Sequence, residues 1–150
     1  MEQELMIQTA KVVMADTFKF YLKTHNYHWN VEGPDFSQYH LLFGEIYEEV
    51  FEALDVIAEE IRAMGSVVPG SLGRFAELSN LEDEREHVDA LTMIHRLYQD
   101  NQRILENIEK AYAAAEAAGN HGFSNLMADR QSAHGKHGWK LRSTLVGILF

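Results

Sequence analysis

At 150 residues and 46% apolar content, the chain suffices for one compact domain with its own core and is too short for two ordinary ones. A formal net charge of -10 sets the molecule against phosphate backbones and anionic lipid surfaces and favours the attraction of cations. The absence of cysteine excludes disulfides, thiolate metal sites and thiol nucleophiles, which leaves histidine and carboxylate as the metal-binding groups.

The opening "MEQELMIQTAKVV" is acidic with no apolar leader, and the longest apolar run, "LVGILF", is far too short for a bilayer, so a cytoplasmic protein is expected. Only two prolines occur, and the long segments are rich in Ala, Leu, Glu, Ile and Met, which predicts an all-α fold. A first helix is expected from about Gln3 to Trp29, with Met6, Ala10, Val13, Phe18, Tyr21 and Leu22 on its apolar face. Gly33 and Pro34 then make a turn, Asp35 is a candidate cap, and a second helix runs from about Phe36 to Met64. Its apolar face is Phe43, Tyr47, Val50, Leu54, Ile57 and Ile61, and Gly65 stands just past its end. The following "GSVVPGSLGRFAELSNLEDEREH" is long for a link within a bundle, and a short helix is expected in it around Arg74 to Leu78. A third helix from about Glu84 to Ala118 carries Leu91, Ile94, Tyr98, Leu105, Ile108, Tyr112 and Ala115, and "GNHG" ends it. The fourth runs from about Phe123 to near the C-terminus. Short, long and short connections make residues 1–150 one ferritin-like four-helix bundle, in which the long crossover lets the second and third helices run parallel.

The segment "KTHNYHWNVEGPDFSQYH" gathers three histidines around the first turn. On the second helix His40, Gly44, Glu48, Glu52, Asp55 and Glu59 follow at intervals of four, four, four, three and four, so they share a face. An acidic stripe is in the first place a solvated helix face. His40 and Asp55 are fifteen residues apart, about 22 Å along a helix, so one chain cannot bring them to one ion. His28 and His40 flank the turn and can converge. If two second helices cross antiparallel about a two-fold axis, the histidines of one chain meet Asp55 and Glu59 of the other, and two identical sites result. Two imidazoles and two carboxylates suit Fe(II), with Zn(II) and Mn(II) as competitors. His25, His87, His95, His121, His134 and His137 read as ordinary core or surface histidines. The single Glu84-x-x-His87 lacks the second copy that an intrachain di-iron bundle needs.

"HNYHWNVEGPDF", His40 twelve residues after His28, "ALDVIAEEIRAMG" and "DRQSAHGKHGWKLRSTL" together resemble the Dps family, the mini-ferritins, over nearly the whole chain. The resemblance implies a dodecameric cage built from two-fold dimers, with ferroxidase sites at the dimer interfaces. There Fe(II) is oxidised, usually with hydrogen peroxide in preference to oxygen, and ferric mineral is stored inside. His28 and His40 match the family's histidine ligands, and Asp55 and Glu59 match the carboxylates from the partner. Trp29 matches a tryptophan beside the site, where a ring can supply an electron or intercept a radical; packing at a helix end explains it equally well. Many members have an Asp one turn after the second histidine, where this chain has Gly44. That leaves the second iron position weak, water-filled or served by Glu48, and implies slower oxidation. Asp129 is a candidate pore residue, although Ser132 stands where an acid is common. DNA-binding members commonly use a basic tail, whereas this chain opens with Glu2 and Glu4, reaches its first lysine at Lys11 and ends at Phe150 without a basic extension, which speaks against direct DNA binding. Two competing expectations are a DNA-compacting structural protein and a cage whose site mainly binds Zn or Mn.

Overall fold

The computed structural model describes residues 1–149, and these are helical with no strand. Four long helices, α1 (Glu2–Asn30), α2 (Phe36–Ala63), α4 (Ala90–Ala117) and α5 (His121–Leu145), surround one core, and a short α3 (Leu72–Leu78) lies in the crossover. Gly33, at φ +115°, makes the α1–α2 turn in a conformation that side chains disfavour. Gly65, at φ +91°, ends α2: its N–H donates to the Arg62 carbonyl and that of Ser66 to the Ile61 carbonyl, the paired bonds of a Schellman end. Ser71, Asp89 and Asn120 cap α3, α4 and α5, each accepting a backbone N–H from the residue three positions on. Such a cap stabilises a helix by about 1 kcal/mol.

The core runs through Phe20, Tyr27, Phe43, Ile46, Val50, Ile57, Ile61, Leu97, Ile104, Ile108, Phe123, Met127 and Leu141. Each such side chain contributes about 1.5–3 kcal/mol by leaving water. Long-range polar contacts fix the directions. Lys23 pairs with Asp100 at 2.7 Å and Asp16 accepts from Asn107 at 2.7 Å, so α1 and α4 run antiparallel. Because α1 and α2 form a tight hairpin, α2 and α4 are parallel, as the long crossover requires. Asp16 also accepts from Ser79 Oγ at 2.6 Å, which anchors the end of α3 to the bundle.

Three expectations change. The third long helix begins at Ala90, not near Glu84, because Asp89 caps there while Glu84 is drawn to Tyr27 and Arg96, which holds the preceding segment outside the helix. The fourth begins at His121, two residues before Phe123, under the Asn120 cap. Asp35 occupies the position before α2, but its side chain makes no capping bond; only its carbonyl is used, by the Tyr39 N–H.

Candidate metal centre

His28, in the last turn of α1, and His40, in the second turn of α2, face each other across the turn. Their rings stack at 3.8 Å with planes 17° apart. His28 Nδ1 lies 2.7 Å from the His40 carbonyl, and His40 Nδ1 lies 2.7 Å from the His28 carbonyl. A carbonyl only accepts, so both Nδ1 atoms carry protons, and Nε2 is the nitrogen of each ring left outside these bonds. Metal-ligating histidines are usually held in this way, with one nitrogen committed to the protein and the other free for an ion.

Gly44 lies directly beneath this pair. A Cβ there would sit 3.1 Å from His28 Cε1 and 3.2 Å from His28 Nδ1, so the imidazole occupies the space that a side chain would take. The glycine therefore does more than omit a carboxylate: it allows the His28 ring to rest against the α2 backbone.

Asp55 and Glu59 lie on the exposed face of α2 farther down the helix. One chain does not bring them to His28 and His40, and among the described residues no cluster of three or more His, Asp or Glu side chains is arranged to hold a metal ion. Leu41, Phe51 and Val56, at 62%, 53% and 49% exposure, share α2 with these carboxylates and leave a mixed apolar and acidic surface uncovered. The isolated Glu-x-x-His does not form a ligand pair either. Glu84 bonds Tyr27 and Arg96, whereas His87 meets Glu32 at 2.9 Å.

His25, read from the sequence as an ordinary histidine, lies at the centre of an aromatic cluster. Its ring stacks on Tyr47 at 3.8 Å and 10°, and Trp29 packs on it at 3.9 Å. Its Nδ1 is 3.0 Å from the Tyr21 hydroxyl. Burial, and then the nearby His28, lowers its pKa, so the ring is neutral near pH 7. The cluster connects to the histidine pair through Tyr47, 5.1 Å from the His28 ring. Trp29 itself is exposed.

The middle of the bundle is filled by a second polar group. Glu49 of α2 accepts from Arg130 and, at 2.8 Å, from His137 of α5. Burial pushes its carboxyl up, but the hydrogen bonds from His137 and Arg130 and their charge outweigh it and hold the pKa down at about 2. His134, fully buried, exchanges bonds with Asn101 of α4: its Nδ1 is 2.8 Å from the Asn101 side-chain oxygen, and its carbonyl accepts from Asn101 Nδ2 at 2.8 Å. Burial, then Arg130 and His137, pushes its pKa well below the usual imidazole range. Every acceptor of this group is taken by protein donors, so the group reads as structure.

A four-helix bundle with one long crossover, matched over residues 11–148 by the ferritin-like domain family, is a ferritin-like domain. The Dps structure from Staphylococcus aureus superposes with a TM-score of 0.89 at 31% identity, covering 93% of this chain and 94% of its own. That from Thermosynechococcus elongatus gives 0.93 at 25% identity, covering 99% and 97%. DNA protection during starvation protein 2 of Bacillus anthracis is 29% identical over 93% of this chain and 96% of its own. The chain belongs to the Dps family.

Proposed function

We propose that this chain is an iron-storing ferroxidase that works as a hollow dodecamer. The observation that carries the reading is the reciprocal bonding of His28 and His40, which commits both Nδ1 atoms and leaves the Nε2 atoms of the two stacked rings for an ion. Asp55 and Glu59 complete each site from the two-fold partner, and the exposed Leu41, Phe51 and Val56 supply apolar surface for that contact. Fe(II) is the substrate and hydrogen peroxide the oxidant. The carboxylates balance the charge of the ferric product, and the imidazoles, fixed in orientation by their Nδ1 bonds, offer Nε2 to the ion.

Removal of Fe(II) and peroxide together would protect DNA without contact with it. A chain of net charge -10 gains little from phosphate neutralisation. Gly44 favours a second reading, a cage that holds Zn(II) or Mn(II) and oxidises little, since it supplies no carboxylate next to His40.

The test is anaerobic loading with Fe(II), then addition of peroxide, with ferric absorbance followed and retained iron measured after gel filtration. Fast oxidation with iron that co-elutes with a particle of about twelve chains, abolished in a His28→Ala/Asp55→Ala variant, is expected. Oxidation no faster than in buffer overturns the ferroxidase reading, and competition by Zn(II) that Fe(II) cannot reverse establishes the second one.

A further inference from the structure

We propose that Glu84, a residue of the crossover, is a positioning residue for the metal centre: through the Tyr27 hydroxyl it fixes the last turn of α1 and, with it, the seat of the His28 ring over Gly44. This role presupposes that His28 and His40 bind the metal, as proposed above, and adds the group that holds one of them in place. The seat has little tolerance. A Cβ at Gly44 would stand 3.1 Å from His28 Cε1, and each Nδ1 of the histidine pair meets its carbonyl at 2.7 Å. A small rotation or lift of the α1 end therefore disturbs the ring stack and both bonds at once.

A ladder of polar contacts ties α1 to α4. Asp16 accepts from Asn107 at 2.7 Å, and Lys23 pairs with Asp100 at 2.7 Å, both directly between the helices. Seven residues separate Asp16 from Lys23 and Asn107 from Asp100, and four separate Lys23 from Tyr27 and Asp100 from Arg96. Tyr27 and Arg96 thus occupy the next rung of the same antiparallel register. At this rung the crossover takes part: Glu84 Oε1 accepts from the Tyr27 hydroxyl at 2.6 Å and from Arg96. Only three residues of α1 follow Tyr27, His28 among them, so the rung that Glu84 completes is the one nearest the metal centre.

Tyr27 passes this hold on to the histidine pair. Its side chain is fully buried, and its ring packs on Phe43 at 6.1 Å. Phe43 immediately precedes Gly44, as Tyr27 immediately precedes His28, so the contact of Tyr27 with Phe43 and that of His28 with Gly44 are consecutive steps of one α1–α2 seam. Burial pushes the Glu84 carboxyl up, but the bonds from Tyr27 and Arg96 outweigh it and hold the group below the usual carboxylate range. It is ionised near neutral pH and can only accept, so the Tyr27 hydroxyl donates, in a charge-assisted bond. Without Glu84 that buried hydroxyl has no acceptor for its proton and must move to find one. The ring, wedged on Phe43, then carries the α1 end with it. The isolated Glu84-x-x-His87 supplies no ligand pair, yet on this account its glutamate serves the centre from the far side of α1.

The assembled, metal-free protein is titrated with Co(II) under argon by calorimetry, and thermal unfolding is followed on the same samples. No oxidant is present, so the outcome is independent of whether the site oxidises Fe(II). Tyr27→Phe and Glu84→Ala are each expected to weaken the first Co(II) about tenfold, the effect usual for groups that orient a metal ligand, whereas Glu84→Gln, which keeps an oxygen for the Tyr27 hydroxyl, stays within about twofold of wild type. The double variant Tyr27→Phe/Glu84→Ala is expected to bind no more weakly than either single one, since both act through one bond. Asp83→Ala, at an exposed neighbouring position, is expected to leave the affinity unchanged. A Glu84→Ala protein that unfolds at lower temperature but binds Co(II) as tightly as wild type overturns the positioning role. Where that variant fails to assemble, Tyr27→Phe, which removes a single oxygen, decides the matter, and an unchanged affinity there overturns the proposal equally. Losses that add in the double variant overturn the route through Tyr27. A wild type whose Co(II) affinity is indifferent to His28→Ala removes His28 from the centre, and the role of Glu84 with it.

Discussion

His28 and His40 each hold the other by its backbone: the Nδ1 of either ring bonds the carbonyl of the other, both at 2.7 Å. The two bonds fasten the last turn of α1 to the second turn of α2 and set both tautomers by one arrangement. A change to His40 is therefore felt twice, as a lost Nε2 and as the helix-end His28 carbonyl left without its bond. His40→Ala is expected to lower stability by about 1 kcal/mol and to reduce affinity for the first Co(II) at least tenfold. Calorimetric titration and thermal unfolding of the same sample check both, and an unchanged Co(II) affinity would remove His40 from the site.

Shared sites make a particular complementation possible. His28→Ala and Asp55→Ala chains, each inactive alone, form mixed dimers with one site lacking both groups and one site intact. After unfolding and co-refolding at equal amounts, half of the dimers are mixed, so about a quarter of wild-type ferroxidase activity is expected to return. Sites formed within one chain give no recovery, and a steady-state assay on the refolded mixture decides between the two.

Gly44→Ala removes a helix-interior glycine, which favours the variant by about 1 kcal/mol, yet its Cβ would stand 3.1 Å from the His28 ring. Thermal stability is expected to change by less than about 1 kcal/mol, while first-metal affinity falls because His28 is displaced. Gly44→Asp meets the same obstacle, so its added carboxylate strengthens a second metal only at the expense of the first. Equal Co(II) affinities in all three proteins would show that the ring accommodates the Cβ freely.

Acid stability follows two groups. His134 is held neutral in the fold, whereas in the unfolded chain it takes a proton below pH 6.5, so stability starts to fall there. The pKa of Glu49, depressed from 4.5 to about 2, stabilises the fold above pH 4.5, and that contribution is lost as the pH falls through about 2. In Glu49→Gln the dependence between pH 4.5 and 2 is expected to flatten, with a loss of about 1 kcal/mol at pH 7, because Arg130 loses a counter-charge that solvent already partly screens. Urea unfolding across this range supplies the comparison, and parallel curves for the two proteins would count against the assignment.

Gly138 faces Asn101, and a Cβ there would approach Asn101 Nδ2 to 2.8 Å. Since Asn101 is fixed by two bonds to His134, Gly138→Ala is expected to destabilise by about 1–3 kcal/mol. In an Asn101→Ala background the same substitution should cost markedly less, a non-additivity that a double-mutant cycle measures.

The sequence made α2 legible because its buried positions, from Phe43 through Ile46, Val50, Leu54 and Ile57 to Ile61, are all apolar at helical spacing. In α1 the pattern misleads. Leu22 is exposed, and the face behind Val13 continues through Thr17, Phe20, Thr24 and Tyr27, since threonine hydroxyls bond back to the helix and cross the core without penalty. In α4 the stripe included Tyr112, which is exposed, and missed Asn101, which is buried because His134 meets both ends of its amide. The role of His25 did have a local signal, for Tyr21, His25 and Trp29 are spaced by four and share a helix face. Glu49 and Arg130 lie 81 positions apart and gave none. The pairing of His28 with His40 was readable from their places on either side of a tight turn, while the reason for Gly44 depended on where a ring rests.

The histidine pair lies at one end of α2, and the carboxylates Asp55 and Glu59 lie several turns away on the same rod. On the proposed reading, a newly synthesised chain is chemically idle. It folds, caps its helices and fastens its turn, but it cannot start redox chemistry on itself while it is alone and poorly protected. Pairing is then the licence to react, and dilution below the dimer's dissociation point acts as an off switch that needs no inhibitor.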